Sequence, residues 1–233
     1  MREGRDLVSS GVIAVIPAHQ EGPRLRAVVQ GALAHVPVSV VDDGSTDDTA
    51  AVAEAAGAVV IRQRPNQGKG AALRTGFRQA LDQGAAAVVT LDADGQHDPA
   101  EIPAFLTAFE ARGADLVIGQ RDFRQMPLSR RVANELGTWT FSHAVGRPIA
   151  DNQSGYRLIS RRLLERLLGS TEQGFEFEVE MITTAIRAGY AIDWVPIRTI
   201  YAGQPSHIRP ISHVRSFLRV AREARRTVRR PLG

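Results

Sequence analysis

Asp92-Ala93-Asp94 places two carboxylates on either side of one small residue, directly after the apolar run Ala86 to Leu91. Two acids at the end of a buried strand are costly unless a cation neutralises them. Hard oxygen ligands suit Mg²⁺ or Mn²⁺, ions that bridge phosphate groups. Gln96 and His97 are near enough in sequence to add a ligand or to orient one. The plainer reading is a helix start, because Asp98-Pro99 is itself a good N-terminal cap. A second acidic cluster, Asp42-Asp43-Gly44-Ser45-Thr46-Asp47, follows the apolar run Val38 to Val41. A carboxylate there can accept hydrogen bonds from a nucleobase edge, or the whole cluster can be an Asp/Gly/Ser turn. Asn66-Gln67-Gly68-Lys69-Gly70 precedes a helical pattern, so backbone N–H groups and Lys69 could face phosphate. It lacks the P-loop spacing, and no G-x-G-x-x-G follows the first strand, which argues against the common mononucleotide and dinucleotide motifs.

Such residues do chemistry only if the fold gathers them. Val12 to Ile16, Val38 to Val41, Ala58 to Ile61, Ala86 to Leu91 and Leu116 to Ile118 are short apolar runs, read as buried strands. Between them Arg24 to His35, Thr46 to Ala56, Gly70 to Leu81 and Pro99 to Ala111 have helical spacing, with Ser45 or Thr46 expected to cap the second. Strands alternating with helices predict an α/β domain with a mostly parallel sheet covered on both faces. Ligands of such sheets sit beyond the carboxyl ends of the strands. The clusters Pro17 to Glu21, Asp42 to Ser45 and Asp92 to Gln96 are therefore predicted to converge on one crevice. After Arg121 the pattern changes: Leu128 to Val145, Leu163 to Leu168 and Glu178 to Ala188 read as helices, Asp151 to Arg157 as a polar turn, and Ile192 to Ile200 as extended chain.

The composition narrows the field. At 233 residues, 43% hydrophobic and 23% charged, the chain is an ordinary globular protein. It has no cysteine, which excludes disulfides and thiolate metal sites and suits a reducing compartment. Met1 to Ser10 lacks the apolar core of a signal peptide, and no run of about 18 apolar residues occurs. A cytoplasmic protein is expected. Eight arginines against one acid, Glu223, lie between Arg209 and Arg230, in a chain whose net charge is only +4. Ile211, Val214, Leu218, Ala221 and Val228 fall near one helical face of that segment, predicting a basic amphipathic helix. It can lie on anionic lipid, or dock its apolar face on the domain and solvate its arginines. No binding motif or aromatic platform points to nucleic acid. The expected organisation is a catalytic domain over 1–210 (nucleotide half 11–121, acceptor half 122–210) and a tail over 211–233.

The clusters also occur in a specific order. Val15-Ile16-Pro17-Ala18-His19-Gln20-Glu21, Val41 to Asp47, Asn66 to Gly70 and Leu91 to Pro99 are followed by Asp151-Asn152-Gln153-Ser154-Gly155-Tyr156-Arg157, Gly174 to Glu178 and Val195-Pro196-Ile197. Together, over roughly residues 11 to 220, they resemble family 2 glycosyltransferases, in particular the dolichol-phosphate mannosyltransferase-like branch that makes polyprenyl-phosphate sugars. The resemblance implies a GT-A-like domain that uses a GDP- or UDP-linked sugar with Mg²⁺ or Mn²⁺. It implies donor contacts at Pro17, His19, Glu21, Val41, Asp43, Asp92, Ala93, Asp94 and Arg121, and metal contacts at Asp92, Asp94 and Gln96. Arg130 and Asn134 match positions that grip an acceptor phosphate, with Arg131 as a rival alignment, and Ser154 falls in the acceptor-side motif. His19 stands where the family often has tyrosine. Glu176 replaces a donor-binding lysine of some relatives, and Tyr201 lies near a phosphate-binding arginine; His207 and Arg209 are candidates to supply the missing cation.

The chemistry implied is an inverting, in-line displacement at the anomeric carbon, with Asp94 and Arg121 beside the departing diphosphate. A polyprenyl phosphate acceptor is already anionic, and Arg130 would position it at a membrane surface. A hydroxyl acceptor would need a base, for which Asp151 is the candidate; Asp151 can equally buttress the Ser154-Gly155 turn. A small-molecule or glycan acceptor, or a nucleotide-sugar-binding module without catalysis, are the alternatives. A nucleotidyltransferase would bring a glycine/arginine-rich loop where this chain has Pro17 to Glu21.

Overall fold

The structure, a computed structural model, describes residues 11 to 200 except 173, 175 and 199, and of residues 129 and 130 the backbone alone. His207, Arg209, Tyr201 and the basic tail therefore lie outside the described residues. Among the described residues seven strands form one sheet: β1 (Val12–Ala18), β2 (Val38–Asp43), β3 (Val59–Gln63), β4 (Ala87–Thr90), β5 (Leu116–Arg121), β6 (Arg157–Ser160) and β7 (Ile192–Ile197), in the order β3-β2-β1-β4-β6-β5-β7. All neighbours run parallel except β6, which is antiparallel to both β4 and β5.

Alternation along the strands divides the core in two. Ala14, Ile16, Val40, Val89 and Val117 face one layer, against α1 (Gly22–Leu33), α2 (Thr49–Ala55) and α4 (Ile102–Arg112). Val15, Val41, Val88, Leu116 and Ile118 face the other, against α3 (Lys69–Asp82), α5 (Leu128–Val145), α6 (Arg161–Leu167) and α7 (Glu176–Arg187). Helix α3 comes so close to the sheet that a Cβ at Gly76 would sit 2.3 Å from Val15 Cγ1. Each fully buried apolar side chain contributes about 1.5–3 kcal/mol, so these two layers hold the sheet and single ion pairs adjust it. At the edge away from the strand tips, buried Asp115 ties three elements. It accepts hydrogen bonds from Ser160 Oγ at 2.9 Å and Ala191 N at 3.1 Å, and pairs with Arg162.

Two expectations are corrected. Arg157, the last residue of the predicted polar turn, opens an unpredicted strand, β6, fully buried between β4 and β5. Only Leu158 and Ile159 in it are apolar, and Arg157 masks it. Helix α2 begins at Thr49, so neither Ser45 nor Thr46 caps it; both hydroxyls are used by the neighbouring turn. No described helix is long and apolar enough to cross a membrane.

Candidate active site

The carboxyl ends of β1, β2 and β4 open on a cleft of about 290 Å³. Pro17, His19 and Glu21 line it from the turn after β1, and Asp43 from the end of β2. Asn66, Gly68 and Lys69 close one wall, while Asp92, Ala93 and Asp94 follow β4 on the floor. The predicted convergence of the three clusters is therefore observed.

Hydroxyls of the second cluster lock the first. Gln20 adopts φ 59°, a left-handed conformation unusual for a side-chain-bearing residue. It is held by donation from its N–H to Ser45 Oγ at 3.0 Å and from Nε2 to Thr46 Oγ1 at 2.7 Å. Glu21 N donates to Thr49 Oγ1 at 3.0 Å. Asp43 accepts from Gln67 N and Gly68 N, one on each oxygen, both at 2.8 Å, so it anchors the loop leading into α3. Glycine at position 44 is required twice over: φ is 76°, and a Cβ would lie 2.7 Å from Asn66 N. His19 Nδ1 lies 3.0 Å from the Asp43 carbonyl oxygen. Val41, expected at the donor, has a fully buried side chain in the core beneath α3.

Lys69 does not reach out of the cleft. Its Nζ lies 2.6 Å from Asp92 Oδ1 and 2.7 Å from Glu178 Oε1. Burial alone would lower the ammonium's pKa, but the two carboxylates outweigh it and hold it above the ordinary lysine value. Asp92 is the counterpart: burial opposes its ionisation, yet Lys69, aided by His97 and Arg121, lowers it to about 2. Asp92 is also wedged sterically, since a Cβ on Gly155 would meet its two oxygens at 2.8 and 3.0 Å and Lys69 Nζ at 3.1 Å. Sequence reasoning missed Glu178. The available signal was an acid beside Phe177 and Met181 on the inward side of a helix.

His97 is buried and turned inward, with Nδ1 accepting from Asp92 N at 3.2 Å and its ring 5.1 Å from Tyr156. Burial lowers its pKa below the ordinary histidine value, against the pull of Asp92. It props the loop. Asp94 lines the cleft, and its Oδ1 accepts from Gln96 N at 3.0 Å. Glu21 across the cleft has a raised pKa, first from burial and then from the charges of Asp94, Asp47 and Asp92, with Arg24 opposing. Negative charge is thus concentrated at the cleft, where the carboxylates of Asp92 and Asp94 are of the hard oxygen type that suits Mg²⁺ or Mn²⁺. Among the described residues no three acidic or imidazole groups close on one point. A cation there would need oxygens from its ligand as well.

The second half contributes Arg121 and the loop 151–157. Asp151 is completely buried and accepts from Arg121 Nε at 2.7 Å and Nη2 at 2.9 Å. The same carboxylate accepts from Gln153 N, Ser154 N and Arg121 N, so both oxygens are committed. Arg157, also completely buried, donates to the carbonyls of Ser154, Asn152 and Glu178, and burial lowers its pKa to about 10. Ser154 is enclosed in this loop, its Oγ without a protein partner. On α5, Asn134 Nδ2 lies 3.1 Å from Met126 Sδ, and Arg131 pairs with Glu135 at 2.8 Å.

Comparison with known proteins identifies the family. The Glycosyl transferase family 2 pattern matches residues 13–168. Polyprenol monophosphomannose synthase of Mycolicibacterium smegmatis is 33% identical over 201 residues, 79% of this chain and 76% of that protein. UDP-N-acetylglucosamine--dolichyl-phosphate N-acetylglucosaminyltransferase of Methanococcus voltae is 30% identical over 217 residues, 82% of this chain and 86% of that protein. Glucosyl-3-phosphoglycerate synthase from Mycobacterium tuberculosis, solved with Mn²⁺, UDP-glucose and phosphoglyceric acid, superposes with a TM-score of 0.73 at 21% identity, covering 92% of this chain and 79% of that one. That last likeness concerns the fold. With its strand-tip acidic cleft, its single mixed sheet and these matches, the chain belongs to glycosyl transferase family 2 and is a glycosyltransferase.

Proposed function

We propose that this glycosyltransferase moves a sugar from a GDP- or UDP-linked donor to a polyprenyl phosphate, with inversion, at the cytoplasmic face of a membrane. The observation that carries the donor side is the cleft itself, in which Asp94 and Glu21 face inward while Asp92 is neutralised from behind by Lys69. Asp94, Asp92 and Gln96 would hold Mg²⁺ or Mn²⁺, which supplies neutralisation of charge on the leaving diphosphate. Arg121 adds a fixed positive charge, its guanidinium oriented by the two-pronged bond to Asp151. Asp43 keeps the 66–68 loop in place so that its backbone bounds the nucleotide end.

The acceptor reading is supported by what Asp151 is doing. A hydroxyl acceptor needs a base to take its proton, and this carboxylate has both oxygens occupied by five donated hydrogen bonds. An acceptor phosphate arrives already ionised and needs positioning alone. Relatives named for polyprenol and dolichyl phosphate substrates support the same choice. The test is a donor and acceptor screen with purified full chain and Mn²⁺, the products identified by mass. A polyprenyl-phosphate hexose is expected; turnover on a glycan or small-molecule hydroxyl, with none on polyprenyl phosphate, would refute the acceptor assignment.

A further inference from the structure

Glu178 stands behind the cleft rather than in it. Its side chain is 5% exposed, and it is not among the residues that line the cleft. It lies in the first turn of α7, a helix anchored in the core by Phe177, Met181 and Ile182. An acid in a first turn complements the helix dipole, but Glu176 serves that purpose from a half-buried position. Burying a carboxylate is costly unless a cation meets it. Glu178 meets the Lys69 ammonium at 2.7 Å, and that ammonium already touches Asp92 at 2.6 Å.

Charge balance shows what the second acid is for. One carboxylate neutralises one ammonium, so Asp92 alone would suffice for Lys69. The charge left over is that of Arg157, completely buried, whose hydrogen bonds all go to carbonyl oxygens. One of those carbonyls belongs to Glu178. Burial lowers the Arg157 pKa, and the Glu178 carboxylate is the largest charge opposing that. Arg121 is matched separately, by Asp151. Without Glu178, Asp92 would be left to meet both Lys69 and Arg157, and a carboxylate so outnumbered is a poor ligand for a further cation. With it, two carboxylates share one ammonium and the trio Asp92, Lys69 and Glu178 keeps a net charge of −1.

We propose that Glu178 is a positioning residue for the divalent cation: drawing on the Lys69 charge from behind, it keeps Asp92 negative enough to hold a metal beside Asp94. The inference rests on the Mg²⁺ or Mn²⁺ reading of the cleft and adds to it a residue outside the cleft. The test titrates Mn²⁺ into the full chain with UDP and, separately, GDP present, following bound Mn²⁺ by electron paramagnetic resonance. Glu178→Gln leaves the trio neutral and should weaken Mn²⁺ binding about 10-fold. Adding Lys69→Met to it restores the net charge of −1, and Mn²⁺ affinity should return to within about 3-fold of wild type. Glu178→Asp keeps the charge and should also stay within about 3-fold, a readout that holds even where the double variant fails to fold. A purely structural Glu178 predicts the opposite order, with the double variant worst because it loses most contacts. That order would overturn the proposal. So would wild-type Mn²⁺ affinity in Glu178→Gln beside an impaired Asp94→Asn protein, which would leave the metal reading standing. Unimpaired Mn²⁺ binding by Asp94→Asn would instead reject the metal reading, and the role of Glu178 with it.

Discussion

Lys69 gives the sharpest test of how the cleft is built. Its ammonium stands between Asp92 Oδ1 and Glu178 Oε1, at 2.6 and 2.7 Å. Replacing it with methionine keeps the volume and removes the charge, leaving two carboxylates about 5 Å apart, a repulsion of about 3 kcal/mol at an effective dielectric of 20. Breaking a buried ion pair from one side costs about 3–5 kcal/mol. For a chain of this size that is a fall in melting temperature of about 10 °C. Glu178→Gln alone leaves the Lys69–Asp92 pair intact and should cost about 1 kcal/mol. The double variant relieves the repulsion and should recover about 2–3 kcal/mol relative to Lys69→Met. Urea and thermal unfolding of all four proteins, followed by circular dichroism at neutral pH, measure the cycle. A Lys69→Met protein within about 1 kcal/mol of wild type that instead binds donor more weakly would refute the reasoning. That is the behaviour of a lysine reaching for phosphate.

Two other perturbations follow from the same geometry. Gly155→Ala puts a methyl group 2.8 Å from an Asp92 oxygen and 3.1 Å from Lys69 Nζ; displacing that carboxylate should lower kcat on the order of 100-fold and cost about 1–3 kcal/mol of stability, as steady-state kinetics and unfolding together would report. Asp115 bears on acid stability: burial opposes its ionisation, but hydrogen bonds from Arg162, Ser160 and the Ala191 amide outweigh it and lower its pKa. The unfolded chain then binds more protons below about pH 4, so this stabilisation is present at neutral pH and lost on acidification. Asp115→Asn should cost about 1–3 kcal/mol at pH 7 and flatten the fall in unfolding free energy between about pH 4 and its native midpoint.

Much of the fold was legible because buried parallel strands are written as apolar runs. Val12 to Ile16 and Leu116 to Ile118 could be little else, and the polar clusters behind the strands had to share one end of the sheet. Strand β6 was hidden because its first residue is a buried arginine whose partners are carbonyls from a loop and a distant helix. The same long-range pairing hid Glu178, the partner of Lys69. Lys69, read locally as a cation facing phosphate, lines the cleft and also pairs with two acids, and no spacing rule reports where a side chain finds its carboxylates. Ser45 and Thr46 misled for a related reason: their hydroxyls serve the Gln20 turn 25 and 26 residues away in sequence, and the helix starts later.

In the proposed function Asp94 and its neighbours hold a divalent ion together with the diphosphate of a nucleotide sugar. Calorimetric titration of wild type and Asp94→Asn with GDP- and UDP-sugars, each with Mn²⁺ and with EDTA, tests it most directly. Wild type should bind one donor class saturably only when Mn²⁺ is present, and Asp94→Asn should weaken that binding about 100-fold or more, equivalent to about 2.7 kcal/mol. Equal affinity in EDTA, or an unimpaired Asp94→Asn protein, would contradict it.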